Sequence, residues 1–283
     1  MQVKAFFHTA SSTLTYVVWK GTDAVVIDPV LDFDKVTGRC WTDAVSEVAD
    51  FVKSEGLTLH YVLESHAHAD HLSGAQVLKQ RFGAQVAIGV DITRVQDTFG
   101  TMFGLDEQVP RDGSQFDMLF SHGDVIEAGE LKLDVMHTPG HTPSCTSFLV
   151  DDAVFVGDAL FMPDFGTGRC DFPAGSADDL YTSISKRLYG LPDNTRVFVG
   201  HDYQPGGREL EFETTIGESK AANKQLRGDT TREQFVDWRT ARDATLSAPS
   251  LLIPSIRVNI DAGRIPLTQE GGQLVMEMPQ VRS

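Results

Sequence analysis

The six residues His66-Ala67-His68-Ala69-Asp70-His71 put three imidazoles and a carboxylate directly behind the apolar stretch His60-Tyr61-Val62-Leu63. Neutral imidazole and carboxylate are the donors a chain offers to a borderline divalent metal. Alternate side chains of an extended segment share a side, so His66 and His68 can face one point in space. The pattern predicts a helix over 72–82, opened by Asp70 and His71, which would aim them at that point from another direction. A plain polar turn between a strand and a helix needs no such density of histidine. The run reads as a metal site.

Working outward, four later polar residues fall where strands are expected to end, the usual place for chemistry in layered α/β proteins. His141 stands in His137-Thr138-Pro139-Gly140-His141-Thr142, and Asp158 closes Val154-Phe155-Val156-Gly157-Asp158. His201 follows Val197-Phe198-Val199-Gly200, and Asp28 closes Val25-Val26-Ile27, where it reads equally as a turn residue. Five of the nine histidines thus sit at strand ends. The glycines before Asp158 and His201 suit a tight bend beside a crowded site.

The rest of the chain divides around these motifs. Strands are expected over 3–7, 13–19, 24–27, 59–63, 85–88, 131–137 and 196–199, with a hairpin over 146–156. Helices are expected over 41–55 and 177–189, and 91–117 reads as an irregular surface excursion. Two successive strand-then-helix halves imply two sheets face to face with helices outside. Past a boundary at Gln204-Pro205-Gly206-Gly207 the chain turns polar, with amphipathic helices over 208–225 and 232–246. An apolar segment over 251–260, interrupted by Pro254, and a loose tail from Gly271 follow. Residues 1–205 are read as the catalytic domain and 206–283 as an extension packed on it.

The 283 residues carry a formal net charge of −16, which argues against nucleic acid. An anionic substrate would need a few well-placed arginines. No apolar run reaches the roughly 18 residues of a membrane span, and the first residues do not resemble a signal peptide. Cys40, Cys145 and Cys170 are too few and too scattered for a disulfide framework, which suits the cytoplasm. Cys145 and Cys170 read as buried structural thiols.

With His66, His68, Asp70, His71, His141, Asp158 and His201 in view, the chain resembles the metallo-β-lactamase superfamily over residues 1–205. The resemblance implies an α+β fold, the four-layer αββα sandwich, here with a C-terminal helical extension. A finer likeness lies in Gly166-Thr167-Gly168-Arg169-Cys170-Asp171-Phe172, Leu180-Tyr181-Thr182-Ser183-Ile184, Leu191-Pro192 and Gly200-His201-Asp202-Tyr203, which resemble the persulfide dioxygenase (ETHE1-like) branch. That branch implies one non-haem Fe(II) per chain, held by His66, His141 and Asp158, two imidazoles and a carboxylate that leave open positions on the ion. It further implies glutathione persulfide and O2 as substrates, with sulfite and glutathione as products. His68, Asp70, His71, His201 and Asp202 would then orient the ligands through hydrogen bonds, or else complete a second metal site.

Arg169 and Tyr203 are the candidates for work beyond metal binding. The arginine could neutralise an anionic persulfide, or it could form an ion pair with Asp171 or Asp164; the phenol could donate a hydrogen bond to substrate or simply pack. Arg257 and Arg264 are further candidates for the glutathione carboxylates. The chain is expected to form a homodimer or homotetramer, without nucleic acid or membrane partners. The alternative activity is a thioester hydrolase of the glyoxalase II type with two zinc ions and an activated water. A non-catalytic sulfur sensor that merely keeps the fold is disfavoured by the intact ligand positions.

Overall fold

A computed structural model describes residues 1–105, 109–270 and 273–276. The chain opens with three antiparallel strands, Gln2–His8 (β1), Thr13–Lys20 (β2) and Asp23–Ile27 (β3), then two short ones, Val30–Asp34 (β4) and Arg39–Trp41 (β5). The helix Asp43–Ser54 (α1), the strand Thr58–Glu64 (β6) and the two-residue strand Leu72–Ser73 (β7) follow. The first half closes with Ala75–Phe82 (α2), Gln85–Gly89 (β8), Ile92–Phe103 (α3) and Met118–Phe120 (β9). The second half runs through Val125–Ala128 (β10), Leu131–His137 (β11), Thr146–Val150 (β12), Ala153–Phe155 (β13), Ala177–Thr182 (α4) and Arg196–Phe198 (β14). Last come Glu213–Thr215 (β15), Ile216–Ala222 (α5), Arg232–Asp243 (α6), Leu252–Asn259 (α7) and the hairpin Leu267–Glu270 (β16) with Gln273–Met276 (β17).

Two six-stranded sheets result, ordered β1-β2-β3-β6-β8-β9 and β10-β11-β12-β13-β14-β15. Side-chain alternation assigns each strand to two layers at once. Val25 and Ile27 of β3 enter the core between the sheets with Phe148 and Phe155, whereas Ala24 and Val26 point to the outer layer with Val48, Leu78 and Phe99. The outer layer of the first sheet is α1, α2 and α3; Leu180, Ile184 and Phe235 bring α4, its π-helical continuation and α6 over the second. This is the αββα sandwich. The apolar stripe Val45, Val48, Ala49 and Val52 seats α1, and each such valine contributes about 1.5–3 kcal/mol by burial.

The structure corrects several expectations. No helix opens at Asp70: Leu72 and Ser73 pair with β4, and α2 starts only at Ala75. The stretch read as an irregular excursion contains α3, whose Ile92, Val95, Phe99 and Phe103 are buried on one face. Within 208–225 only Ile216–Ala222 is α-helical, and Glu213–Thr215 instead adds the edge strand β15 to the second sheet, across the expected domain boundary. Pro254 does not interrupt its segment, because it lies in the first turn of α7, where its missing N–H would be unpaired anyway. Of the tail expected to be loose, Gln273–Met276 pairs with Leu267–Glu270; the remainder lies outside the described residues.

β3, β6 and β8 run parallel, as do β13 and β14. Their carboxyl ends therefore collect at one edge of the sandwich. Asp28, Glu64, His66, Asp158 and His201 all lie just at or past those ends.

Candidate metal centre

At that edge one ligand atom each from His66, His141 and Asp158 come within 4.8 Å of one another. His66 Nε2 lies 3.9 Å and His141 Nε2 3.6 Å from Asp158 Oδ2. All three residues are buried. The backbone makes this approach possible at two glycines. Gly157 adopts φ +49°, and a Cβ there would stand 2.6 Å from Ser65 Oγ; a Cβ on Gly200 would stand 2.9 Å from Asp158 Oδ1.

Hydrogen bonds on the far side of each ring fix its tautomer. His141 Nδ1–H donates to the Arg169 carbonyl at 2.7 Å, which leaves Nε2 with its lone pair toward Asp158. His201 Nδ1–H donates to Ser12 O at 3.2 Å in the same way. His66 Nδ1 pairs with Ser65 Oγ at 2.9 Å. Buried atoms without a hydrogen-bond partner include His66 Nε2, both His68 ring nitrogens, His71 Nε2, His201 Nε2 and Asp158 Oδ1. Orphaned buried polar atoms are rare and costly. Imidazole nitrogens and a carboxylate oxygen held this close suit a divalent cation, so His66, His141 and Asp158 fit a metal.

The remaining motif residues divide into two groups. His201 Nε2 lies 3.3 Å from Asp158 Oδ1 and 3.4 Å from Asp70 Oδ2, and His71 Nδ1 lies 3.5 Å from the same Asp70 oxygen. His68, Asp70 and His71 also bring one ligand atom each within 4.8 Å of one another and could hold a second ion. His68 lies 4.0 Å from His66 between ring centroids and points Nε2 to Asp28 Oδ1 at 3.1 Å and to Glu64 Oε2 at 3.6 Å, with its buried Nδ1 left unpaired. Burial opposes a charge on His68, yet Asp28 and Glu64 outweigh it and raise its pKa well above the usual value. Burial and the neighbouring histidines hold His66 well below the usual range, and burial with His68 brings His71 to about 4. Asp28 itself, at φ +50°, accepts the Ser65 N–H at 2.7 Å and so links β3 to the metal loop.

Glu64 is a residue the sequence reading missed. It is buried at the end of β6, accepts a hydrogen bond from Ser73 Oγ, and burial raises its pKa. A carboxylate closing an apolar strand two residues before the first histidine is the signal that could have found it.

A cavity of about 420 Å3 opens beside the cluster, reaching Asp70, His141 and Asp158. Arg169 and Tyr203 line it, as expected. Arg169 Nε and Nη2 grip Asp171, and Nη1 donates to Ser247 O at 2.9 Å, while Asp164 pairs with Arg208 instead. The Tyr203 ring stacks on His201 at 5.5 Å between centroids. Although the residue is 44% exposed, burial of its phenol, then Asp158 and Asp70, push its pKa well above the usual range. Asp202 is buried and accepts from both Arg208 Nη atoms and from Glu211 N–H, so it ties the segment after the His-Asp-Tyr motif.

The far wall comes from the extension: Lys224, Trp238, Arg239 and Arg242 line the cavity. Arg239 is ion-paired with Asp243, whose other oxygen accepts the Cys170 N–H at 2.8 Å. Lys224 and Arg242 form no ion pair among the described residues. Arg257 and Arg264, the cations expected at the substrate, do not line this cavity. Both pair with Asp261 instead, at 3.6 and 3.1 Å. Cys145 and Cys170 are buried free thiols, with burial pushing Cys145 up to about 12 and Cys170 higher still; neither is primed as a nucleophile.

The sequence pattern of the metallo-beta-lactamase superfamily matches residues 8–201. A probable metallo-hydrolase of Burkholderia pseudomallei is 44% identical over 99% of both chains. A protein named glyoxylase B2 from Dictyostelium discoideum is 45% identical over 90% of this chain and 87% of its own. The bovine mitochondrial persulfide dioxygenase ETHE1 is 32% identical over 79% of this chain and 75% of its own. Among solved structures, ETHE1 from Myxococcus xanthus superposes with a TM-score of 0.75 at 32% identity, covering 93% of this chain and all of that one. No helix among the described residues is long and apolar enough to cross a membrane.

Proposed function

The chain belongs to the metallo-beta-lactamase superfamily as a metal-binding enzyme, and from that premise we propose that it is a persulfide dioxygenase. It would oxidise glutathione persulfide with O2 to sulfite and glutathione at one Fe(II) per chain. The observation that carries this reading is the cluster of His66, His141 and Asp158, whose ligand atoms lie within 4.8 Å of one another. Two imidazoles and one carboxylate are the ligand set of oxygen-activating ferrous sites. Similarity to the bovine persulfide dioxygenase over most of the chain supports it.

His66, His141 and Asp158 would hold the ion, which when bound would supply open coordination positions for a persulfide sulfur and dioxygen. The protein supplies the surroundings. Lys224 and Arg242 stand where the carboxylates of an anionic tripeptide would be met, and Phe161, Phe165 and Trp238 line the same cavity with apolar surface. Tyr203, held as a neutral phenol, can donate a hydrogen bond into it. Arg169 positions His141 through its carbonyl, and its guanidinium is steadied by Asp171. Three free thiols agree with a cytoplasmic setting.

A second reading, a dinuclear thioester hydrolase of the glyoxalase II type, is favoured by the group His68, Asp70 and His71, by His201 between Asp70 and the other oxygen of Asp158, and by the similarity to glyoxylase B2. Metal analysis of anaerobically purified protein, paired with oxygen uptake on glutathione persulfide, separates the two. About one iron per chain with rapid uptake is expected. Two zinc ions per chain, no uptake and hydrolysis of a glutathione thioester would transfer the case to the hydrolase.

A further inference from the structure

A second cavity of about 400 Å3 shares only Asp70 with the first and adds His8, Ser11 and His71 to its lining. Between His71 and His8 runs an unbroken line of hydrogen bonds. His71 Nδ1 lies 3.4 Å from Thr13 Oγ1, Thr13 Oγ1 2.6 Å from Ser11 Oγ, and Ser11 Oγ 2.7 Å from His8 Nδ1. At its outer end His8 Nε2 stands 3.5 Å from Asp32 Oδ1. The other Asp32 oxygen accepts the Ala44 N–H at 2.9 Å, so the start of α1 anchors the carboxylate. Asp34 and Lys35 line the same cavity. At the inner end His71 Nε2 is buried among the site histidines, its ring 4.2 Å from that of His68.

Every member of this line can accept on one side and donate on the other: a hydroxyl through its single oxygen, an imidazole through its two nitrogens. Accessibility rises along it, from 1% for the His71 side chain to 17% for His8.

We propose that His71, Thr13, Ser11 and His8 form a proton relay from the buried metal centre to the second cavity. The proposal rests on the dioxygenase reading, in which R–S–SH, O2 and H2O give R–SH, sulfite and two protons. The S–S bond breaks, the terminal sulfur gives up four electrons to O2, and the water supplies the third sulfite oxygen. The protons released, two from R–S–SH or one from its anion, must therefore leave a site whose first cavity the substrate itself fills. The relay gives them a separate exit, His71 handing a proton from one ring nitrogen to the other.

The test is steady-state oxygen uptake on glutathione persulfide at low buffer concentration, with iron content measured for each protein. His8→Ala and Thr13→Val should keep their iron and KM but lose about tenfold in kcat, less than the loss of a direct acid or base. Added imidazole should restore His8→Ala and leave Thr13→Val unchanged, while Thr13→Ser retains the wild-type rate. Variant rates equal to wild type would overturn the relay. So would a loss that imidazole leaves untouched and that Thr13→Ser shares, since that pattern is structural damage. Absence of uptake by the wild-type holoenzyme would instead overturn the dioxygenase reading, and the relay with it.

Discussion

Asp158 stands close to three of the site histidines: Oδ2 is 3.9 Å from His66 Nε2 and 3.6 Å from His141 Nε2, and Oδ1 is 3.3 Å from His201 Nε2. Removing its carboxylate leaves three imidazole nitrogens converging without the one anionic donor of the cluster. Asp158→Ala should therefore fail to retain iron through gel filtration and show no oxygen uptake; uptake that survives would reassign the ligand. His68→Ala is expected to differ in kind. Its Nε2 faces Asp28 and Glu64, so with a single ion on His66, His141 and Asp158 the variant should keep its iron with reduced activity. It leaves two buried carboxylates without their counter-charge, a loss on the order of 3–5 kcal/mol, visible as a lowered Tm. Complete loss of metal in His68→Ala would move that residue among the ligands.

At the scale of elements, α7 reaches back from the extension to hold the motif loop. Asn259 is buried; its Nδ2 donates to His68 O at 2.9 Å and to His71 O at 2.8 Å, and its Oδ1 accepts the Ser73 N–H at 2.9 Å. Asn259→Ala strands two carbonyls and one amide, each worth about 1–3 kcal/mol when buried unpaired. The variant should melt earlier and release its metal to a chelator faster than wild type. Unchanged metal release with a lowered Tm would confine Asn259 to stability. This contact was illegible in the sequence, because a lone asparagine in an apolar segment carries no sign of a partner 188 residues away. The metal-binding residues were legible for the opposite reason: imidazoles at fixed spacing after apolar runs declare strand ends and chemistry together. The helix α3 escaped because its buried apolar residues are diluted by Gly100 and by polar Gln96. Gln96 reads as a surface residue, yet it is buried and bonded to Gln115 and to Ile260 O. β7 escaped because a two-residue strand has no periodicity to read.

The molecule as a whole repels what it is proposed to bind. Its formal charge of −16 sets up a field against an anionic persulfide, opposed where Lys224 and Arg242, without ion pairs among the described residues, line the cavity. Screening acts on these two effects unequally. Between about 10 and 150 mM salt the Debye length contracts from roughly 30 to 8 Å, which removes distant repulsion first and leaves contacts within the cavity largely intact. kcat/KM for glutathione persulfide should therefore rise with salt, by about two- to threefold, while kcat stays level. Arg242 is exposed, and its guanidinium donates to the nearby Thr245 Oγ1, so Arg242→Ala should raise KM by about two- to fivefold, a modest figure fitting a solvent-screened cation. That increase should persist at about 150 mM salt, because it arises from contact and not from the distant field. A kcat/KM that falls with salt in the wild type, and loses that fall in Arg242→Ala, would reverse the ranking: the cavity's cations would then be steering the substrate from a distance against the charge of the rest of the chain.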